Sequence, residues 1–388
     1  MRSILLWGLL VTWTMRSVQT HADRLQNTPA IDLTALTLED LMNIEVTLAS
    51  RKGEKLFKTA AAISVLTRDD LRRSGATSIA EALRLVPGMQ VGRIDANKWA
   101  IGARGFNFRF SNKLLVLVDG RSVYTPLFSG VFWEIQDLVL EDIERIEVIR
   151  GPGATLWGAN AVNGIINIVT ANAAATQGGL LKASSGSEER GLASLRYGGS
   201  LAAETTYRVY AKFIARDDFA DASGTSTADA WDMRRAGFRI DWEPTARDAL
   251  SWQGSLYNGQ TGQTYRIPTL IPPFLDTFDD DTDWLGGHLQ THWRRTWSQE
   301  AAFDLQLYYN RERSSDRTLT QEHDTYDLDL QHRFTWGARH DMVWGLGYRF
   351  TTDDTEGSFK ISFDPGSRNA HLFSAFAQDQ INLGGVNI

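Results

Sequence analysis

The sequence contains no cysteine at all. That excludes a disulfide framework, thiol catalysis and a cysteine-ligated metal. It also has no surplus of positive charge. The formal net charge is −7, and no basic stripe stands out, which argues against a nucleic-acid partner. Long apolar runs are missing as well. The single one, Ile4 to Trp13, has ten residues, whereas a spanning helix needs about 20, so the mature chain is not a helical membrane protein. What the run does fit is a secretory signal. Met1-Arg2 precedes it, a polar stretch follows, and Thr20-His21-Ala22 offers a cut after Ala22. Export to an oxidising compartment is compatible with the lack of cysteine.

Beyond the leader, the first half carries short elements separated by glycine turns. Thr67-Arg-Asp-Asp70 and Ser78-Ile-Ala-Glu81 have capping-box spacing, each followed by helix-like periodicity, and Pro87-Gly88 stops the second helix. Asp119-Gly120 between two β-rich runs predicts a tight hairpin. Ile146 to Ile149 and Ile165 to Val169 read as further short strands. The stretch between those two raises a question of chemistry, because a glycine-rich loop after a strand often cradles a phosphate. Gly151, Gly153 and Gly158 have the wrong third spacing for a dinucleotide fingerprint. Pro152 intrudes, a strand rather than a long helix follows Gly164, and no lysine lies between Gly151 and Thr170. The expectation is that these glycines serve tight turns and close backbone approach.

Several blocks carry a family resemblance. ISVLTRDDLRRSGATSIAEALRLVPGMQV, then ARGF at Ala103 to Phe106, then LLVLVDGRSVY, then IERIEVIRGPGATLWGANAVNGIINIVT resemble the plug domain of TonB-dependent outer-membrane receptors, in the family's order and with its approximate spacing. Upstream, Ile44, Glu45, Val46, Thr47, Leu48 and Ala49 sit where the TonB box would be. The implied organisation is a signal peptide over 1–22, an extension with the TonB box over 23–49, a mixed α/β plug over 50–175 and a β-barrel from 176 to 388.

The rear half supports a barrel independently of the family. Apolar and polar residues alternate with period two, as in Phe303, Leu305, Leu307 and Tyr309 against Asp304, Gln306 and Tyr308. About ten antiparallel strands are expected, near 178–186, 190–199, 205–216, 232–243, 248–258, 284–297, 300–313, 324–336, 340–351 and 370–383. Tight links alternate with long loops near 217–231, 259–283, 314–323 and 352–369, the pattern of periplasmic turns and outer loops. Trp242, Trp252, Trp284, Trp293, Trp297, Trp336 and Trp344 lie toward segment ends, where indoles suit the bilayer interface. A soluble sandwich would use the same alternation to build a core instead. Ten strands enclose too little room for a plug. The family's barrels have 22 strands, so the sequence is expected to hold an incomplete barrel.

The resemblance implies TonB-energised uptake across the outer membrane of a Gram-negative bacterium, with TonB, backed by ExbB and ExbD, as the partner. The implied cargo is a scarce solute: a ferric siderophore, or alternatively a corrinoid of the cobalamin type. A passive porin and a lipid hydrolase are weaker readings, since a plug obstructs free flow and no nucleophile with a positioned His and acid is recognisable. Plug apices at Asp95 to Trp99 and Tyr124 to Phe132 make Asn97, Trp99, Tyr124, Leu127 and Phe128 the candidate ligand contacts; the alternative is that they pack against the barrel wall. Arg104 and Arg150 match the plug arginines that pair with barrel glutamates. No catalytic residue, cofactor or metal is expected. His288 and His292 face one side but sit about 13 Å apart on a strand, too far to share an ion. Asp279, Asp280, Asp281 and Asp283 read as a solvated loop tip, with calcium as the alternative.

Overall fold

In a computed structural model the described residues are 45–46, 54–55, 62–153, 157–298, 300–337 and 339–381. The signal segment, Ile44, and Thr47 to Ala49 lie outside them. A short ribbon stands as its own unit: β1 (Glu45–Val46) pairs antiparallel with β2 (Glu54–Lys55), Glu45 opposite Lys55.

The plug begins at β3 (Ile63–Thr67), which leads directly into α1 (Arg68–Ser74). Both halves of the capping box form. The Thr67 hydroxyl accepts from the Asp70 amide, and the Asp70 carboxylate accepts from the Thr67 amide at 2.8 Å. α2 (Ile79–Ala82) is capped by Ser78 alone and ends in a 3₁₀ turn before Pro87-Gly88. The remaining plug strands are β4 (Met89–Arg93), β5 (Trp99–Ala103), β6 (Leu114–Val118), β7 (Arg121–Ser122), β8 (Ile143–Ile149) and β9 (Gly164–Thr170). Four of them join β3 in a mixed sheet of order β3-β8-β9-β6-β7, with β6 and β9 parallel, while β4 and β5 pair separately. β6 is buried along its whole length, as its continuous Leu/Val run requires.

Glycine does what the sequence suggested. A Cβ at Gly153 would meet Ile165 at 2.5 Å, one at Gly164 would meet the Ile149 carbonyl at 2.6 Å, and Gly158 has φ +77°. These are demands of packing and turning.

The rear half is one all-antiparallel sheet of ten strands in sequence order: β10 (Gly178–Ser184), β11 (Gly191–Ala202), β12 (Thr205–Arg216), β13 (Trp231–Thr245), β14 (Asp248–Pro268), β15 (Leu275–Thr296), β16 (Ala302–Ser315), β17 (Leu319–Trp336), β18 (His340–Gly357) and β19 (Ser367–Ile381). Among the described residues β10 and β19 do not pair with each other, so the sheet is open. The alternation holds. Register places Trp242, Leu250, Trp293, Leu305, Leu330 and Leu346 in one outward row. Inward residues Leu192, Ile214, Trp231, Met233 and Tyr257 join a single core with plug residues Trp99, Ile101 and Phe132.

Three expectations are corrected, the first being the long loop near 314–323, which shrinks to 316–318 between β16 and β17. The segment 259–283 is not a loop: β14 and β15 run 21 and 22 residues, well past the roughly 9–11 that cross a bilayer, and only 269–274 turns. Asp279 to Asp283 therefore lie in β15, paired against Gly262, Gln263 and their neighbours. Period-two pairing continues above the apolar band, where both faces are polar and hydropathy no longer marks a strand. Trp284 points inward onto Phe132, with ring centroids 4.9 Å apart. Its position near a segment end reflected a mistaken boundary.

The Asp119-Gly120 hairpin forms with φ +50° and +79°, as a type I′ turn requires. A Cβ on Gly120 would also sit 2.6 Å from the Gln306 side chain. Gly120→Val should therefore cost about 1–3 kcal/mol, seen as a lower unfolding temperature of the full-length protein in detergent.

Candidate functional site

Strand parity sends Lys182, Arg196, Arg208, Lys212, Arg216, Arg235 and Arg239 to the inner face of the sheet. The plug segment 134–142 meets them with carboxylates and carbonyls. Lys182 bonds Glu141 at 2.7 Å; Arg196 reaches Asp142 at 2.6 Å, and Arg208 approaches the same carboxylate at 3.4 Å. Lys212 contacts Asp137 and donates to the Leu138 carbonyl at 2.8 Å, and Arg235 donates to the Ile135 carbonyl. The Lys212 and Asp137 side chains are each only 2% exposed. At that depth an ion survives only if paired and hydrogen-bonded.

The first plug apex is fastened just as firmly. Asn97 is fully buried; its side-chain amide donates to the carbonyls of Asp229 and Gly262 at 2.8 and 2.9 Å. Trp99, 1% exposed, meets Trp231 edge-on at 5.8 Å, and the Arg216 guanidinium lies over both rings. Asp229, in the connection 217–230, accepts from the amides of Ala96 and Phe219, each at 2.8 Å, and from the Thr227 hydroxyl. Burial alone would raise the Asp229 carboxyl, but these donors outweigh it and hold it below the ordinary range.

The second apex is softer. Thr125 and Gly130 close the loop by a β-bridge. Phe128 stacks on Phe110 at 5.3 Å, and Phe110 and Phe132 meet edge-on. Tyr124, Leu127 and Phe128 are half-buried, and Pro126 is exposed. Of the five candidate contacts, these three keep accessible surface, whereas Asn97 and Trp99 grip the wall.

Arg104 and Arg150 lie together within the plug. Arg104 has φ +58° and donates to the Arg150 carbonyl at 3.0 Å, while Arg150 reaches Ser64 at 3.5 Å. Neither meets a barrel carboxylate among the described residues. His288 bonds the Ser255 hydroxyl and lines a polar cavity with Arg121, Arg235, Tyr257, Glu312 and His323, while His292 pairs with Asp304 at 3.2 Å. His288 is half-buried, and plug residues Tyr124 and Thr125 line the same cavity. The basic ladder of Lys182 to Arg239 was not anticipated. Its signal was present in Arg208, Lys212 and Arg216, which recur every four residues on the face opposite Val209, Ala211 and Phe213.

Lys212→Met should leave the Asp137 charge buried and alone, costing about 3–5 kcal/mol; denaturant titration of the full-length protein measures it. Asp229 makes the apex acid-sensitive. Its folded pKa is depressed, so its contribution is present above the unfolded Asp value and is lost as pH falls through the folded one. Limited proteolysis within 217–230 should therefore accelerate in acid in the native chain, and Asp229→Asn should be cleaved faster already at neutral pH.

Comparison with known proteins agrees with this geometry. Residues 55–165 match the family described as TonB-dependent Receptor Plug Domain. The chain is 30% identical over 145 residues to the vitamin B12 transporter BtuB of Vibrio vulnificus, covering 37% of this chain and 23% of that protein. It is 38% identical over 131 residues to the iron-regulated outer membrane virulence protein of Vibrio cholerae, covering 32% and 19%. Among solved structures it resembles the siderophore receptor PirA of Pseudomonas aeruginosa, with TM-score 0.60 and 19% identity over 84% of this chain and 54% of that one. The ferripyoverdine receptor of the same organism gives 0.66 at 13% identity, over 89% and 55%. The chain thus spans little more than half the length of these receptors. Residues 55–165 match a TonB-dependent receptor plug, and the ten antiparallel strands that follow share the fold of the solved receptors' barrels.

Proposed function

We propose that this chain belongs to an outer-membrane receptor that takes up a scarce solute with energy delivered through TonB. The observation that carries the reading is the two-sidedness of the sheet. Its outer face bears the apolar and indole rows suited to lipid, while its inner face is occupied by a plug tied down through buried ion pairs. An obstructed inner face disfavours a passive pore and calls for a pulling partner. Residues 44–49 suit that role. An added strand grips through main-chain hydrogen bonds, with Val46 and Leu48 on one side and Glu45 and Thr47 on the other. TonB would pair there, with ExbB and ExbD behind it. No catalytic role is assigned.

The favoured cargo is a ferric siderophore, supported by the fold shared with siderophore receptors. A corrinoid is the second reading, supported by the plug's likeness to a vitamin B12 transporter. Tyr124, Leu127 and Phe128 offer it a partly open aromatic apex, while Asn97 and Trp99 fasten the neighbouring apex to the wall. Arg104 and Arg150 are proposed to lock the plug through barrel glutamates.

Uptake of labelled ferric chelates and corrinoids by a receptor-null strain expressing the full-length protein tests this. Accumulation should require TonB. Val46→Pro, which removes a ladder donor, should lower uptake to the TonB-less level while leaving binding at the cell surface intact. Equal uptake with and without TonB would replace the receptor with a passive channel.

A further inference from the structure

The outward face of the sheet is not uniform. Across strands β10 to β15 one outward row reads Leu181, Leu195, Ala211, Ala236, Leu256, Gly287. The leucines are strongly exposed, at 78%, 59% and 73% for Leu181, Leu195 and Leu256. Between Leu195 and Leu256 the floor falls to two methyl groups. The result is a shallow apolar groove of 590 Å³, within the size range of small-molecule sites.

The next outward row sets a charge at its head. Phe213, Arg234 and Asn258 are register neighbours there. The Arg234 side chain is 65% exposed, with its guanidinium over the Phe213 ring at 5.9 Å. Its one carboxylate neighbour among the described residues is Asp232, at 4.0 Å, the limit of an ion pair. Other outward arginines at this level are answered closely: Arg311 lies 2.5 Å from Glu322, and Arg313 lies 3.3 Å from the same group. Arg234 follows directly on the long connection 217–230, so it belongs to the end of the wall that carries the outer loops. An arginine facing hydrocarbon is costly unless it reaches an anion at the interface.

We propose that this face binds one phosphorylated glycolipid of the outer leaflet. Its phosphate sits on Arg234, its sugar lies beside the Asn258 amide, and an acyl chain lies along the Ala211–Ala236 floor between Leu195 and Leu256. The proposal rests on the membrane reading above, since the same groove in water would have no such neighbour. A guanidinium is the side chain best shaped for phosphate, and the groove supplies the apolar contact that a free phosphate would not use.

Native mass spectrometry of the full-length protein in detergent, with bisphosphorylated lipid A added, tests it. The native protein should retain one lipid A. Arg234→Gln should lower that occupancy about fivefold, the worth of one interfacial cation, and Arg234→Lys, which keeps the charge without the planar fork, should fall between the two. Ala236→Phe, which fills the floor without touching the inner face, should lower it too. Dephosphorylated lipid A should bind the native protein no better than Arg234→Gln binds the phosphorylated form. Equal occupancy of the native protein and Arg234→Gln, or of the two lipids, overturns the site. A protein that takes up its solute normally and ignores Arg234 sinks only the lipid site. One that fails to insert into bilayers sinks the receptor reading with it.

Discussion

The structure depends on one interaction: basic side chains on the inner face of a sheet gripping the carboxylates and carbonyls of plug segment 134–142. Neither partner is stable alone in that position. Lys212 and Asp137 are buried so deeply that each needs the other, and Arg235 relies on a backbone carbonyl of the plug. Such pairs contribute little net stability relative to apolar residues. What they do is fix position, because a shift of one residue on a strand would turn that strand's inward cations to the outer face. The plug is thus held in register by the same alternation that makes the outer face apolar.

That grip has a graded layout. At the first apex, Asn97, Trp99 and Asp229 tie plug, wall and outer connection into one buried knot. At the second, Phe110, Phe128 and Phe132 pack against one another, and Tyr124 and Leu127 keep open surface. The plug therefore presents a partly open aromatic surface beside a firmly anchored apex. Rigid support beneath adaptable contacts is how many proteins combine precise placement with ligand choice.

Much of this was legible in the sequence. Strand number, strand facing, the Asp119-Gly120 turn and the Thr67–Asp70 cap all follow from local rules, and the structure contains them. The long β14–β15 hairpin was not legible, because its upper half alternates polar with polar and resembles a loop. The basic ladder was hidden for a different reason. An inward arginine and a solvent-facing arginine look the same until the partner segment, tens of residues away, is placed beside it. The same blindness covered Trp284, whose indole belongs to the plug's core rather than to an interface.

The central claim is that one face of the sheet meets lipid while the other meets the plug. No native cysteine lies in these 388 residues to compete with an introduced label. Single cysteines can be placed along 249–258 of the full-length protein in bilayers and labelled with nitroxide. Collision with dissolved oxygen should then rise and fall with period two, high at Leu250, Trp252, Gly254 and Leu256 and low at Ser251, Gln253, Ser255 and Tyr257. A flat profile, or one with the inward positions exposed, would contradict the account.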